Sequence, residues 1–403
     1  MGATVRVVGV GADGWDGLPP GSRAAVRDAE VLLGGRRHLD LVPAGAAERV
    51  PWPSPLLPRL AALLDRYADR RVVVLASGDP LVSGIGGTLV DLLGPERVEV
   101  LPAVSSIALA RARLGWTAES CDVVSLVGRD PDRLRRWLSP DRRLLVLSSD
   151  GGTPAEVARL LVEHGCGVSA LTVLADLGGP LESRVTGTAR EWPTGPSPAL
   201  HVLAVDVRAE PGTTRPLLPT GPGLPDDAFE HDGQLTKRDA RALALSRLAP
   251  VPGQLLWDVG AGAGSVAVEW LRSDPRCRAV AVEARPERAR RVERNARRLG
   301  VPGLQVREGT APEALEGLPA PDAVFVGGGA GAPGVLAGAW EALRPGGRLV
   351  VHAVTLETEA VVTSWWAKVG GDLTRLSVEH AEPLGSFTGW RPARPVVQWA
   401  VTR

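Results

Sequence analysis

Short runs of aliphatic and β-branched residues alternate along the chain with longer segments in which Ala, Leu and Arg recur at helical spacing. In the first half this pattern predicts strands at about residues 4–8, 72–75, 98–101, 123–126, 144–147, 170–174 and 200–205. The alternation pauses at about 102–128 and then resumes, so we expect two lobes, at about 1–110 and 111–209. Strands that alternate with helices indicate an α/β architecture.

The pattern is stricter in the second half of the chain. It predicts helices at 237–248, 265–271, 286–299 and 335–343, and strands at 254–259, 279–283, 304–308, 323–326 and 348–354. Helical connections of this length force neighbouring strands to run parallel, so a largely parallel, Rossmann-like sheet is expected. Between the halves, residues 208–225 read RAEPGTTRPLLPTGPGLP, and this Pro- and Gly-rich composition predicts a linker at 210–225.

Composition narrows the class of protein. The 403 residues argue for two or three domains, and 44% hydrophobic with 23% charged residues is ordinary for a globular chain with a sizeable core. The 46 Lys and Arg balance the 46 Asp and Glu, so we expect no nucleic-acid partner. The cysteines Cys121, Cys166 and Cys277 have no metal-ligand spacing. Without a signal-like or membrane-length apolar segment, we expect a cytoplasmic protein with no metal and no membrane contact.

The clearest chemical motif lies in the second half. Gly260, Gly262 and Gly264 follow a predicted buried strand and lead directly into a predicted helix, which lets the backbone approach a ligand at the edge of the sheet. Glu283 ends the next predicted strand, where a carboxylate can accept hydrogen bonds from ribose hydroxyls. Together these features predict a nucleoside site.

The glycine spacing and the acid before it favour one nucleoside over another. The spacing is G-x-G-x-G rather than the G-x-G-x-x-G of dinucleotide enzymes, and Asp258 precedes the loop. This favours S-adenosylmethionine (SAM), whose cationic amino-acid end needs a nearby acid. A further run, Gly327 to Gly329, follows the strand predicted at 323–326 and fits a class I methyltransferase. A nicotinamide site and a turn without a ligand remain as alternatives.

The first half carries three further strand-end loops. Gly9, Gly11 and Gly14 formally match G-x-G-x-x-G, but Pro19 and Pro20 block direct entry into a helix, which argues against a dinucleotide. The loops at 76–80 and 102–106 also follow predicted strands. Small and polar residues at three strand ends predict a ligand crevice, with ordinary turns as the alternative.

These loops carry a resemblance to a known family. Gly9-Val10-Gly11, SGDP at 77–80 and PAVSS at 102–106 resemble the tetrapyrrole (corrin/porphyrin) methylases, which have the two-lobed class III methyltransferase fold. LGGRRHL at 33–39, LGW at 114–116 and LTVL at 171–174 resemble the cobalamin-pathway subfamily that methylates carbon 5 of a precorrin. The second half, through DGQLTKR at 232–238, the 260–264 loop and AVTLE at 353–357, is similar to the carbon-15-methylating, decarboxylating enzymes of that pathway.

The resemblance implies a bifunctional SAM-dependent methyltransferase of corrin-ring (vitamin B12) synthesis. It would methylate carbons 5 and 15 of precorrin-6B (precorrin-6Y) and decarboxylate the ring-C acetate to give precorrin-8X. It also implies a tetrapyrrole methylase domain at 1–209, a class I domain at 226–403, one SAM per domain and a homo-oligomer. The SAM-binding residues it implies are Gly9, Gly11, Asp79, Ser105 and Ser106 in the first domain, and Thr236, Gly260, Gly262, Gly264, Glu283 and Ala311 in the second.

The implied substrate, a reduced tetrapyrrole, is a polyanion, so cationic side chains beside turns are candidates to bind its carboxylates: Arg36, Arg37 and Arg391. No general acid or base is assigned. His231, before a helix start, is interpreted as structural, and His352 as adjacent to the core. Two other functions remain open, a nicotinamide-dependent tetrapyrrole reductase and a tetrapyrrole-binding carrier module fused to a single methyltransferase.

Overall fold

The structure, a computed structural model, describes residues 4–212 and 218–403. Among these residues, those up to Pro131 and from Pro140 to 212 form one compact unit, and Asp132–Ser139 with the residues from 218 onward form a second. Residues 213–217, which belong to the predicted linker, lie outside the described residues. In the described part of the chain, no helix combines the length and the apolar character needed to cross a membrane.

The first sheet of unit 1 is entirely parallel, in the order β3-β2-β4-β1-β5. Helices pack on both of its faces, which is why the strands carry almost continuous runs of buried Val and Leu. Its elements are β1 (Val5–Val10), α1 (Pro20–Arg27), β2 (Val31–Gly34), α2 (Arg36–Asp40), β3 (Glu48–Pro51), α3 (Leu57–Arg66), β4 (Val72–Ser77), α4 (Ile85–Leu93) and β5 (Val98–Leu101).

The second sheet of unit 1 is mixed, in the order β6-β7-β10-β8-β9, and only its β6–β7 pair is parallel. Ile107 and Ala110 of α5 pack against Val202 and Ala204 of β10, so this helix covers the second sheet. The elements are α5 (Ser106–Leu114), β6 (Asp122–Ser125), β7 (Arg143–Leu147), α6 (Thr153–Glu163), β8 (Ala170–Ala175), β9 (Ser183–Thr188) and β10 (His201–Asp206).

Unit 2 contains a seven-stranded sheet in the order β13-β12-β11-β14-β15-β19-β16 and a separate β17–β18 hairpin. The sheet is parallel except for β19, which runs antiparallel to both of its neighbours. Its elements are α7 (Arg238–Leu248), β11 (Leu255–Val259), α8 (Ser265–Ser273), β12 (Arg278–Glu283), α9 (Pro286–Arg298), β13 (Gln305–Glu308), β14 (Ala323–Val326), α10 (Val335–Ala342), β15 (Arg348–Ala353), α11 (Leu356–Val369), β16 (Asp372–Leu376), β17 (Glu379–Leu384), β18 (Phe387–Pro392) and β19 (Val396–Thr402).

The predicted fold class, a two-lobed α/β domain followed by a Rossmann-like domain with a largely parallel sheet, is confirmed. The pattern did not predict β2, β3, β9, α11 or any element after it, and the pause at 102–128 contains α5. Several of the missed strands are largely exposed, among them β9, β17 and β18. A solvated strand lacks the run of buried residues on which a pattern-based prediction depends. Exposure does not explain the missed β2 and β19, whose central positions are buried.

Each parallel sheet has one point where its strand order reverses. The connections leave β1 and β4 in opposite directions across the first sheet, and those leaving β11 and β14 do the same in unit 2. The loops that follow these strands therefore separate and leave a crevice at the carboxyl edge of the sheet, where ligands of open α/β sheets bind.

A buried ion pair organises the segment that leads into α7. Arg241 and Glu269 are fully buried, and the guanidinium Nε lies 2.5 Å from the carboxylate. Glu269 also accepts hydrogen bonds from the amides of Gly223, at 2.6 Å, and Leu224, at 3.0 Å. Arg241 in turn donates to the carbonyl oxygen of Thr236, at 2.5 Å. The pair thus fixes both ends of the 223–236 segment against α7 and α8.

We expect Arg241→Met to lower the free energy of unfolding by about 3–5 kcal/mol, because the Glu269 carboxylate would keep its buried position without its cationic partner. Arg247→Met is the matched control: it removes an exposed ion pair, with Asp372, and should cost at most about 1 kcal/mol. Urea denaturation of the full chain measures both. Equal losses in the two variants would contradict this account of the buried pair.

Candidate active sites

A cavity of about 320 Å³ opens at the carboxyl ends of β1 and β4 in unit 1. Four of the predicted residues line it: Gly11, Asp79, Ser105 and Ser106. Gly9 is not among the lining residues. A Cβ atom there would collide with the carbonyl oxygen of Gly78 and lie 2.7 Å from the amide nitrogen of Ala103. Gly9 therefore shapes the cavity by letting two neighbouring loops approach β1.

Backbone hydrogen bonds join the three strand-end loops into one wall. The amide of Gly78 donates to the carbonyl of Val10, and the carbonyl of Gly78 accepts from Ala103, both at 3.0 Å. Gly78 has a φ of +49°, a conformation that glycine adopts without strain. The structure thus brings together the three loops that sequence alone could only suggest as neighbours.

Two of the predicted polar side chains stabilise backbone turns. Oδ1 of Asp79 accepts from the amide of Leu81 at 2.9 Å, and Oγ of Ser105 caps α5 by accepting from Ala108 at 3.1 Å. These two side chains therefore hold the loop backbone in shape at the wall of the cavity.

A polar cluster at the end of β2 combines Arg37, a candidate from the sequence, and Ser77 of the 76–80 loop with His38, which the sequence analysis did not single out. Nε2 of His38 lies 2.8 Å from Oγ of Ser77 and 3.0 Å from the guanidinium of Arg37, and all three residues line the cavity. Burial, together with the Arg37 charge, lowers the pKa of His38 to about 4. His38 is therefore neutral at physiological pH. Arg36, the adjacent candidate, is not among the lining residues.

His201 also lines the first cavity and was missed. Its Nδ1 lies 2.6 Å from the carbonyl of Pro198, while its Nε2 is buried with no hydrogen-bond partner in the described structure. His201 begins β10, which runs antiparallel to β8, so this amino end lies beside the carboxyl end of β8. A sequence search for strand carboxyl ends cannot find such a residue.

A larger cavity, of about 1410 Å³, opens at the carboxyl edge of the unit 2 sheet. Five of the predicted residues line it: Thr236, Gly260, Gly262, Glu283 and Ala311. Gly264 is not among the lining residues. It has a φ of +73°, and a Cβ atom there would lie 2.6 Å from Cγ1 of Val292. Gly264 is therefore needed for the turn into α8 and for its packing on α9.

The glycine loop is held between two neighbours. The amide of Gly262 donates to Oε2 of Glu283 at 2.8 Å, which orients this carboxylate toward the cavity. On the other side a Cβ atom at Gly260 would lie 2.6 Å from the carbonyl oxygen of Gly328, so the predicted second glycine run lies directly against the first. The loop, its acid and the second glycine run form one continuous floor.

Asp258 lies beneath this loop and is almost fully buried. Its Oδ2 accepts from the amide of Ala267 at 3.0 Å, while Oδ1 has no partner in the described structure. Burial, with a smaller contribution from the charge of Glu283, raises the pKa of Asp258 to about 7. A cationic group bound nearby would lower this pKa again. Asp258 itself is not among the residues that line the cavity.

Cations surround the larger cavity. Arg391, a predicted candidate, lines it and is bonded to Glu382 at 2.9 Å. Three other lining arginines have no carboxylate partner in the described parts of the chain: Arg238, Arg285 and Arg394. Sequence reasoning missed these three because nothing local distinguishes them from the many surface arginines. Such an arrangement can bind several carboxylates of one ligand.

The two histidines considered in the sequence analysis have different surroundings. Nδ1 of His231 accepts from the amide of Gly233 at 3.1 Å, a local turn contact, in agreement with a structural role. His352 is buried, as predicted, and its ring also lines the larger cavity. Its position on a predicted strand did not indicate that it would also line a cavity.

Family models match both halves of the chain. The model described as tetrapyrrole (corrin/porphyrin) methylases matches residues 4–193, and the model described as precorrin methyltransferase domain matches residues 227–403. The first range contains the residues that line the first cavity except 199–202, and the second contains those that line the second cavity except Pro225 and Asp226.

Relatives match nearly the whole chain. A protein from Sinorhizobium sp, named precorrin-6Y C(5,15)-methyltransferase (decarboxylating), is 47% identical over 400 residues, which cover 99% of this chain and 96% of the relative. The protein of that name from Mycobacterium tuberculosis H37Rv is 46% identical over 403 residues, with 99% and 100% coverage. The solved C-terminal domain of the Rhodobacter capsulatus precorrin-6Y C5,15-methyltransferase is 46% identical and covers 46% of this chain and 100% of its own, with a TM-score of 0.44.

The pKa of Asp258 predicts a pH-dependent stability. The pKa of Asp258 is about 7 in the folded protein and ordinarily 3.8, so the folded state binds more protons than the unfolded state between these pH values. The free energy of unfolding therefore falls as the pH rises from about 4 to about 7. The loss is on the order of 4 kcal/mol. Urea denaturation should show the wild type losing stability relative to Asp258→Asn across this range. A constant difference between the two proteins would contradict the raised pKa.

Proposed function

The chain belongs to the family of precorrin-6Y C(5,15)-methyltransferases (decarboxylating), and on this basis we propose that it methylates carbons 5 and 15 of precorrin-6B (precorrin-6Y). It is a SAM-dependent methyltransferase of corrin-ring synthesis. In the same process it releases the ring-C acetate carboxyl as carbon dioxide, which gives precorrin-8X. The reductase and carrier alternatives have no support in these matches.

The two activities divide between the halves of the chain. The tetrapyrrole methylase domain, residues 1–209, methylates carbon 5, and the class I domain, residues 226–403, methylates carbon 15 and decarboxylates the acetate, with residues 210–225 as the linker. The two family models, which match 4–193 and 227–403, support this division. So does the presence of a separate strand-end cavity in each half of the chain.

One SAM binds in each domain. In the first, Gly11, Asp79, Ser105 and Ser106 line the site, and Gly9 keeps β1 in contact with its neighbouring loops. In the second, the residues at the cavity are Thr236, Gly260, Gly262, Glu283 and Ala311, with Gly264 forming the turn beneath them. In both sites the ligand lies against strand-end loops at the carboxyl edge of the sheet, where ligands of open α/β sheets bind.

The observation that carries the proposal is the buried acid beneath the glycine loop of the second domain. Oδ1 of Asp258 has no partner, although the atom is buried, and buried polar oxygens are ordinarily hydrogen-bonded. The positive charge of a SAM molecule bound on this loop stabilises the ionised form of the carboxylate beneath it. The Glu283 carboxylate, already aligned by Gly262, accepts from the ribose.

The reaction depends mainly on how the chain positions SAM and the tetrapyrrole. SAM supplies an electrophilic methyl group, and the meso carbons of a reduced tetrapyrrole belong to enamine-like systems that are already nucleophilic. The chain therefore needs to hold the reacting carbon in line with the methyl group and to exclude competing water. The conjugated macrocycle is its own electron sink for the loss of carbon dioxide, a role that other enzymes assign to a prosthetic group.

The unpaired cations of the second cavity bind the acetate and propionate arms. Arg238, Arg285 and Arg394 can each donate two parallel hydrogen bonds to a carboxylate. In the first cavity Arg37, held beside Ser77, has the same role. Self-association and a cytoplasmic setting stay predictions.

The main test is mass spectrometry of the purified full chain with precorrin-6B and SAM, together with calorimetry of SAM binding. We expect two added methyl groups, loss of one carbon dioxide and two SAM bound per chain.

Gly11→Arg should abolish carbon-5 methylation, because its side chain fills the first cavity. Gly262→Val should abolish decarboxylation, because a branched residue is strained at a φ of +61° and approaches Gln234. Each variant should bind one SAM.

The controls are substitutions of the same size at exposed glycines. Gly21→Arg and Gly303→Val introduce side chains where a Cβ atom would meet nothing within 4 Å. Both should retain two SAM and both methylations. If Gly11→Arg still methylated carbon 5, the first loop would not be a SAM site.

A second prediction concerns the substrate carboxylates. Arg394→Gln removes a cation that lines the second cavity, and loss of one charged hydrogen-bond pair should raise the KM for the precorrin about tenfold while the Kd for SAM stays unchanged. Arg290→Gln, an exposed arginine of α9 outside the cavity, is the control and should alter neither value. Steady-state kinetics and calorimetry separate the two constants. An unchanged KM in Arg394→Gln would remove this arginine from the substrate site.

A further inference from the structure

His352 occupies the position where the second domain can perform proton transfer. It lies near the carboxyl end of β15, one residue beyond the Val326–Val351 pair that joins β14 to β15. The Gly327 loop leaves β14 at the same level, and the ring of His352 lies in the cavity wall beside it. The glycine loop after β11, the second glycine run after β14 and this imidazole thus follow in order along one edge of the sheet.

The ring is held by contacts on two sides. Phe325, on the neighbouring strand, lies edge-on to it, with 5.0 Å between ring centroids and an interplanar angle of 84°. Nε2 lies 2.8 Å from Oε1 of Gln398 on β19, whose side chain is also buried. An amide oxygen only accepts hydrogen bonds, so Nε2 carries the proton and donates it. Nδ1 is consequently the unprotonated nitrogen.

Nδ1 has no partner in the described structure, although the residue is more than nine-tenths buried, with 7% of its surface exposed. Burial also lowers the pKa of His352, so the ring is neutral and can accept a proton. Among the other ionisable groups that line the cavity, Asp239 and His380 are exposed, and two glutamates are engaged by neighbouring groups. Glu283 accepts from the amide of Gly262, and Glu382 is paired with Arg391 on the exposed hairpin. His352 combines a free lone pair with a fixed orientation.

The reaction of the second domain requires one proton to be removed. When the electron pair of carbon 15 forms the bond to the methyl carbon, the bond between that carbon and sulfur breaks with its electron pair left on sulfur, and the macrocycle becomes a cation. The bond from the acetate methylene to its carboxylate then breaks, carbon dioxide leaves, and the electron pair neutralises the cation. The methylene carbon gains a proton from water to become a methyl group, while carbon 15 still holds the hydrogen that must be lost.

We propose that Nδ1 of His352 accepts the proton released from carbon 15. The carbon–hydrogen bond breaks, its electron pair returns to the macrocycle as part of a double bond, and the proton leaves the imidazolium for water in the open cavity. One proton is taken from water and one returned, so the reaction is balanced. Gln398 is a positioning residue, because its acceptor oxygen keeps Nδ1 unprotonated. This inference deepens the proposed function and rests on it.

The kinetic test compares wild type with His352→Phe, which keeps an aromatic ring beside Phe325 and removes both nitrogens. The double variant His352→Phe/Gln398→Leu also removes the unpaired amide that the single change leaves behind. Both should lower the single-turnover rate of the carbon-15 product at least about 100-fold, the contribution of a positioned base. His164→Phe, a histidine at the end of α6 that lines neither cavity, is the control and should stay within threefold of wild type.

An isotope measurement separates proton removal from a structural defect. With deuterium at carbon 15, the rate ratio between the two isotopic substrates should be larger in His352→Phe than in wild type, because proton removal becomes the slow step. A misplaced substrate would slow both isotopic forms equally. Calorimetry should still find two SAM molecules bound per chain in the variant. A rate within threefold of wild type, or an unchanged isotope ratio, would overturn the proposal.

A spectroscopic test is independent of turnover. Nitrogen-15 NMR of the histidine-labelled free protein, with the signal assigned by its loss in His352→Phe, should show a neutral ring protonated on Nε2. In Gln398→Leu the signal should shift toward a mixture of tautomers. A ring protonated on Nδ1 in the wild type would overturn the proposal. If the wild type itself released no carbon dioxide from precorrin-6B, the proposed function would fail, a result distinct from failure in the His352 variants alone.

Discussion

The architecture of both cavities depends on close backbone-to-backbone contact at the ends of neighbouring parallel strands. Gly9 lies against the carbonyl of Gly78, and Gly260 against that of Gly328, at distances that leave no room for a Cβ atom. These contacts bring loops from separate strands into single cavity floors. The strands beneath these floors are buried, and the contacts between the loops fix the positions of the strand-end residues that line the cavities.

Burial then decides the chemistry of the groups around these floors. Asp258 and His352 are an acid and a base whose pKa values are both shifted toward the neutral form, because each is removed from water and has only one hydrogen-bond partner in the described structure. A buried ionisable group with one unsatisfied atom is costly for stability, and such a cost is common where a ligand or substrate completes the hydrogen bonding. The contrast is with Arg241 and Glu269, which are equally buried but satisfy each other and their surrounding amides.

The residues at the edge of the second domain's sheet fall into two groups, one on each side of the point where the strand order reverses. The glycine loop, Glu283 and Asp258 lie at the ends of β11 and β12, on one side of the point where strand order reverses. The second glycine run and His352 lie on the other side, at the ends of β14 and β15. The unpaired arginines that line the cavity lie on other elements: Arg238 begins α7, Arg285 precedes α9, and Arg394 follows the β17–β18 hairpin.

Sequence by itself determined the α/β alternation, the largely parallel sheet of the second half and the glycine loops, since these depend on local spacing and on residues that any neighbouring strand would bury. It also placed Glu283 correctly, because the carboxyl end of a parallel strand has only one edge of the sheet to face. Tertiary structure alone decided the rest. The antiparallel strand β10 brings His201 into the first cavity, and β19 brings Gln398 to His352, through pairings between residues far apart in the chain. Tertiary packing decides which arginines line a cavity and which carboxyl group is buried away from water, and a local sequence pattern does not predict this packing.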